Sequence, residues 1–197
     1  MRNHPFVRSS AGAALPGLLA LGLFAGCAGS TTAKLVTPDD DPAGVALEEG
    51  CSAVESFEDG GNEHVADGSE VDYDSEPPTS GPHYAVPADP GLYATPLAEE
   101  QLVHNLEHGQ IVIYFSPTAP EELVAELREL VASDPVGLIA VPYVAASGPG
   151  EIVLTAWTRL QRCNGFSGAD IDAFRAEFEG RGPENVGVPT FDTSDTA

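Results

Sequence analysis

The chain has 197 residues and a formal charge of -23, with 8 Lys and Arg against 31 Asp and Glu. That length gives one domain with appendages and enough chain for an ordinary core. The surplus of carboxylates repels phosphates, which excludes a nucleic-acid partner, and it attracts cations.

Residues 1–27 have the pattern of an export leader. Arg2 and Arg8 supply a positive start, and residues 11–25 form an apolar stretch too short for a comfortable membrane span. It ends in Phe24-Ala25-Gly26-Cys27, which resembles the lipobox of bacterial lipoproteins, with Phe24 where Leu is usual. That resemblance implies cleavage before Cys27 and acylation of its thiol, so that membrane lipid anchors the protein to the outer face of the cell membrane. A plain secretory cut nearby is the alternative. Residues 28–50, rich in Ser, Thr, Asp, Pro, Gly and Glu, read as a flexible tether.

A single globular domain is expected over residues 51–183. Its two cysteines, Cys51 and Cys163, lie in an oxidising compartment, and their even number predicts one disulfide closing most of the domain; a free thiol or a metal ligand is the alternative. Val54 and Phe57 suit a short strand, and His64-Val65 and Val71-Asp72-Tyr73 suit two more on either side of an Asp67-Gly68 turn. Pro-Pro-Thr-Ser-Gly-Pro-His at 77–83 is neither helix nor central strand, because three prolines remove three donors and stiffen the chain. Loop continues to Tyr93, and so long an irregular segment inside a compact domain points to function.

Thr95 as N-cap and Pro96 in the first turn predict a helix that Gly109 ends. The apolar run Ile111-Val112-Ile113-Tyr114-Phe115 predicts a buried strand. Thr118-Ala119-Pro120-Glu121 reads as a capping box opening a helix with Leu123, Leu127 and Leu130 on its packed side. Residues 138–141 form a short strand, and residues 151–158 a second buried one, with Ile152, Leu154 and Ala156 on one face and Val153 and Trp157 on the other. Ser167 caps a last helix carrying Ile171, Phe174 and Phe178. Residues 184–197 form an acidic tail with no packing signal. The fold class is α+β, with a small, mainly antiparallel sheet, two or three packed helices and a long proline-rich loop.

The chemistry concentrates in histidines. Apart from His4 in the leader, all of them lie between 64 and 108. His104 and His108 are four apart and project from one helix face, while Leu102 and Leu106 turn elsewhere to pack. Imidazole is a common ligand of zinc, copper, nickel and iron, so His104 and His108 can grip one ion. His83 on its stiff loop is the third ligand, with His64 or Glu107 as a further one. The string His104-x-x-Glu107-His108 also matches H-x-x-E-H, in which two His hold zinc and Glu is the general base; five positions with no ligand on a later helix make this the weaker reading. Histidines that merely hydrogen-bond to backbone and acidic neighbours are the bland alternative. Ser80 lacks the nucleophile-elbow pattern, and Asp72, Asp74 and Glu76 lack the spacing of a calcium loop. Arg159 and Arg162 are expected to flank the end of the Trp157 strand and to pair with surplus acids.

Pro-Pro-Thr-Ser-Gly-Pro-His at 77–83, Gly91-Leu92-Tyr93 and Val-His-Asn-Leu-Glu-His-Gly at 103–109 together resemble an uncharacterised bacterial family, domain of unknown function 3105. Ile-Val-Ile-Tyr-Phe at 111–115 and Leu-Thr-Ala-Trp at 154–157 fit it too. The resemblance spans about residues 50–183 and implies an exported or membrane-tethered domain, but no reaction.

The reading is therefore a lipid-anchored extracytoplasmic domain that binds copper or zinc through His83, His104 and His108, with His64 or Glu107. A metal-free interaction module beside an envelope protein partner is the rival, and a small metal-dependent hydrolase using Glu107 comes third.

Overall fold

The computed structural model describes residues 50–146 and 148–192. The expected leader, the lipidated Cys27, all but the last residue of the tether and the end of the tail lie outside the described residues. Among the described residues the fold is the expected α+β class: three helices on a six-stranded, mostly antiparallel sheet.

The sheet is built outward from β5 (Ile111–Phe115), whose five apolar residues are all buried. It pairs antiparallel with β7 (Ile152–Ala156) and parallel with β6 (Leu138–Pro142), and α2 (Glu121–Ser133) makes the crossover between β5 and β6. Successive side chains point to opposite faces. Ile111, Ile113, Phe115, Ile152, Leu154 and Ala156 pack with Leu127 of α2 and with Ile171 and Phe174 of α3 (Gly168–Phe178). Val112, Tyr114, Ile139, Val141 and Val153 pack instead with Leu102 and Leu106 of α1 (Glu99–Glu107). Burying each of those leucines contributes about 1.5–3 kcal/mol, and this holds α1 on the face opposite the other two helices. No helix among the described residues is long and apolar enough to cross a membrane.

Several expected boundaries move. The strand predicted over residues 151–158 is a hairpin: Trp157 and Thr158 link β7 to β8 (Arg159–Cys163), so the two arginines lie within a strand rather than beyond one. Thr158 takes the left-handed conformation (φ 60°) that a two-residue link needs. Its amide donates to the Thr79 carbonyl and its carbonyl accepts from Phe57, which ties the turn to the proline loop. Arg162 does pair with an acid, lying 3.6 Å from Glu151. Strand β1 (Glu55–Ser56) closes that edge against β8, beside the Cys51–Cys163 disulfide.

The predicted hairpin across Asp67-Gly68 does not form. β2 (His64–Val65) pairs in parallel with β3 (His83–Tyr84), and Tyr73 donates its hydroxyl to the Pro82 carbonyl instead of joining a strand. The loop before Tyr93 contains a further edge strand, β4 (Gly91–Leu92), parallel to β6. Helix α1 starts at Glu99 and not at Pro96, with Ala98 as its N-cap. The Tyr93 amide still bonds the Ala140 carbonyl, so the chain must cross from the sheet edge to its face before a helical turn can close. The capping box at Thr118 is also unmade. Thr118 shares a hydrogen bond with the Ser116 hydroxyl, leaving Pro120 at the N-cap of α2. Val131, not Leu130, completes the buried side of α2. Ser167 caps α3 as expected, accepting from the Asp170 amide.

The stretch from residue 184 packs, contrary to the expected tail. Val188 is buried, and the Phe191 ring stacks 3.8 Å from the Arg175 guanidinium. Arg175 is itself buried, donating from Nε to Glu179 and from Nη2 to Asp134, both at 2.6 Å, with Asp172 at 3.7 Å. Burial lifts the Glu179 carboxyl to about 7, and the hydrogen bond to Asp134 adds to that against the pull of Arg175. For Asp134 burial acts upward too, but hydrogen bonds from Glu179 and from the Gly137 and Val136 amides, with Arg175 alongside, hold it below its ordinary value. A hydrogen bond between the two carboxyls needs one proton, and Glu179 is the group whose shift lets it carry that proton below about pH 7.

Because its folded pKa is raised, Glu179 contributes stability that is complete below its ordinary 4.5 and lost as pH rises through about 7. Glu179→Gln fixes the neutral form. Its stability relative to the native chain should rise by roughly 2–3 kcal/mol across that window, read as urea midpoints; a constant difference would show that no proton is shared.

Candidate metal centre

Three elements bring the histidines together. The proline loop is fastened at each step: Thr79 to the β7–β8 turn, the Ser80 hydroxyl to the Gly60 amide and the Gly81 amide to the Gly61 carbonyl. Ser80 is therefore a structural hydroxyl, buried and engaged. Gly81 (φ 127°) has the Tyr73 ring 3.1 Å from where a Cβ would lie, so only glycine makes this turn. The chain then enters β3 with His83 fully buried, and the β2–β3 register sets His64 beside it.

Helix α1 supplies the rest. Asn105 accepts from the Ala88 amide and donates to its carbonyl, and a further bond to Gln110 leads on to the Val136 carbonyl. This polar staple fixes the helix against the returning loop. His104 and Glu107 are buried on the side facing β3, at 5 % and 1 % exposure. The His64 and His104 rings stack at 5.1 Å, and the His83 ring lies 5.1 and 4.9 Å from them. One ligand atom from each of His64, His83, His104 and Glu107 lies within 4.8 Å of the others. Nitrogen and oxygen ligands on a tetrahedral zinc stand about 3.4 Å apart, so the group needs to close by roughly an ångström.

The hydrogen bonds fix which ring nitrogen of each neutral imidazole carries the proton. A backbone carbonyl only accepts, so His83 Nδ1 donates to Gly81 O at 2.9 Å and His104 Nδ1 donates to Tyr84 O at 2.6 Å. A neutral imidazole has one N–H, so both Nε2 atoms then carry lone pairs. That of His83 meets the Glu107 carboxylate at 3.1 Å. Two electron-rich atoms this close require a cation between them, either a proton or a metal ion. Burial holds the His104 and His108 imidazoles below their ordinary 6.5, outweighing the Tyr84 carbonyl at His104 and the Glu107 and Glu184 carboxylates at His108, which favours the neutral form of both rings.

Of the residues singled out in the sequence, His83, His104, His64 and Glu107 meet in one group; His108 stands to one side, with its Nε2 3.0 Å from that of His104. Glu107 turns toward His83, which differs from the H-x-x-E-H arrangement of two His on the metal and Glu behind. Asp72, Asp74 and Glu76 are exposed and form no such group. The sequence reading missed Asn105 and the segment after α3. In that segment the Gly180 amide bonds the Gly109 carbonyl, and the Glu184 amide bonds the Glu107 carbonyl. A Cβ on Gly182 would run into the Glu107 carbonyl and the Gly109 amide. The run of glycines at 180 and 182 was the available clue.

Backbone atoms cannot swing away as a side chain can. Gly182→Ala should therefore cost about 1–3 kcal/mol in urea unfolding, whereas Gly148→Ala, with ordinary contact only, should stay within about 0.5 kcal/mol. Equal midpoints would mean that the segment does not close over the helix end.

A family model described as Protein of unknown function (DUF3105) matches residues 64–189, and the chain belongs to that family. The match runs from His64 to the segment that covers the end of α1. No curated protein and no solved structure matches the chain.

Proposed function

We propose that this member of the family binds a divalent transition-metal ion of the zinc or copper class through His64, His83, His104 and Glu107. We further propose that an acylated Cys27 tethers the domain to the outer face of the cell membrane. The observation that supports the metal reading is the gathering of His64, His83, His104 and Glu107 with one ligand atom from each within 4.8 Å of the others, while backbone carbonyls hold Nδ1 of both His83 and His104. Metal-binding histidines are oriented in this way, with the second ring nitrogen held by an outer partner. Three imidazoles and a carboxylate suit zinc and copper(II); among the described residues no thiol is offered, since Cys51 and Cys163 are bonded to each other. Glu107 faces His83 and both are buried, which favours holding an ion over activating water, while the exposed His64 lies on the solvent side of the group.

A second reading has its own support. Both nitrogens of His83 and of His104 already have protein partners, so the rings can brace the proline loop against α1 without metal, in a module that meets an envelope protein.

Elemental analysis of the mature domain, without a histidine tag, separates the two. About one ion per chain is expected, and His83→Ala with His104→Ala should abolish it. Trp157 lies 6.4 Å from His83 and is the only tryptophan, so copper(II) should quench its emission while zinc does not. A native chain that stays metal-free after titration with either ion, beside a variant that merely loses stability, would leave the brace. Separately, Cys27→Ala should move the protein from the membrane fraction to the soluble one; retention on the membrane would rule out a lipid anchor on that cysteine.

A further inference from the structure

The sheet carries a crevice apart from the histidines. Strands β4, β6 and β5 lie side by side and parallel, and they end at Leu92, Pro142 and Phe115. After β4 the chain goes to α1 on one face, and after β5 it goes to α2 on the other. Connections that part in this way leave a gap beyond the strand ends, which is where open parallel sheets receive ligands. Here the gap is a cavity of about 480 Å³, lined by those three strand ends, by loop residues beyond them and by Val124 and Arg128 of α2. Pro96, just before α1, belongs to the lining, whereas His104 and Glu107 lie toward the far end of that helix.

The lining has one chemistry. Phe115 and Val124 are apolar, and Tyr93 offers its ring because its hydroxyl already donates to the Asp89 carbonyl at 2.7 Å. Pro96, Pro117 and Pro142 have no amide hydrogen to offer and stiffen the walls. Val144 on the rim is 81 % exposed, an apolar side chain left in water. In a chain of charge -23 no acidic residue lines this crevice, and the one charged side chain there is Arg128. Among the described residues Arg159, Arg162, Arg175 and Arg181 each hold a hydrogen bond or an ion pair, whereas Arg128 holds neither.

We infer that this crevice binds a small amphiphile of the fatty-acid class, with an apolar body and a single carboxylate. The body lies against Phe115, Val124, Tyr93 and the prolines, and the carboxylate takes the Arg128 guanidinium, whose fork of donors matches a planar pair of oxygens. A doubly charged phosphate would meet the surrounding carboxylates with only one cation in its support. At about 30 Å³ for each water-sized group, the space takes roughly 12–16 non-hydrogen atoms, the size of a ten-carbon acid. A peptide adding to the sheet edge fits less well, because β4 has two residues with Pro90 before it and Pro96 after it. The inference uses none of the metal residues and stands or falls apart from them.

The test uses the chain from residue 27 onward with Cys27→Ala, so that neither an attached acyl chain nor detergent competes for the crevice. Decanoate and decanol, which share an apolar body, are titrated by calorimetry below their aggregation limits at about 0.15 M salt. Decanoate should bind at one site per chain. Arg128→Gln should weaken decanoate about fivefold and leave decanol within about twofold, since only the charged head loses its partner. Val144→Asp sets a like charge on the rim and should also weaken decanoate about fivefold. Both positions are exposed, so neither change should move the urea midpoint appreciably. Decanoate that does not saturate one site, that binds Arg128→Gln as tightly as the native chain, or that loses no more than decanol does, would overturn the inference.

Discussion

The structure depends on one buried contact, between the His83 imidazole and the Glu107 carboxylate. Neither group has water to fall back on, and removing one partner would leave the other uncompensated at a cost of about 3–5 kcal/mol if charged. The contact joins the end of the proline loop to the last turn of α1, so two segments 24 residues apart in the chain must arrive together. The surrounding hydrogen bonds make that arrival obligatory. Thr79, Ser80 and Gly81 hold the loop from one side, and Asn105, Gln110 and the segment at 180–184 hold the helix from the other.

Helix α1 serves two environments at once. Leu102 and Leu106 press onto the sheet, while His104 and Glu107 face the loop, and the whole stretch between 102 and 107 is buried. A nine-residue helix would be marginal alone, and this one has no side-chain N-cap. Its stability comes from being enclosed. The ligand positions are therefore properties of the packed domain, not of the helix sequence by itself.

Much of the core was legible because its residues alternate or repeat. The apolar run at 111–115, the two faces of 152–156 and the Ser167 cap stand where the sequence placed them. Two-residue strands have no period to read. β2, β3 and β4 are chosen by partners far along the chain, and the proline loop decides which side of His83 meets His64. The polar strand Arg-Leu-Gln-Arg-Cys was missed because only Leu160 and Cys163 turn inward. At the site, spacing alone identified His104 with His108 as neighbours, which they are. It could not reveal that Glu107 and His64, rather than His108, complete the group around His83, since that follows from where the loop crosses the helix.

The disulfide also determines how the domain takes a mechanical load. Cys51 is almost the first described residue, and its bond to Cys163 spans a separation of 112 residues. A pull arriving along the chain from the N-terminal side passes through that bond directly into β8 and the hydrogen-bonded sheet. The proline loop, the short strands carrying His64 and His83, and α1 all lie inside the covalently closed segment. They are bypassed by the force, much as a shunt protects a sensitive element, and the imidazoles keep their spacing while the rest of the chain is under tension.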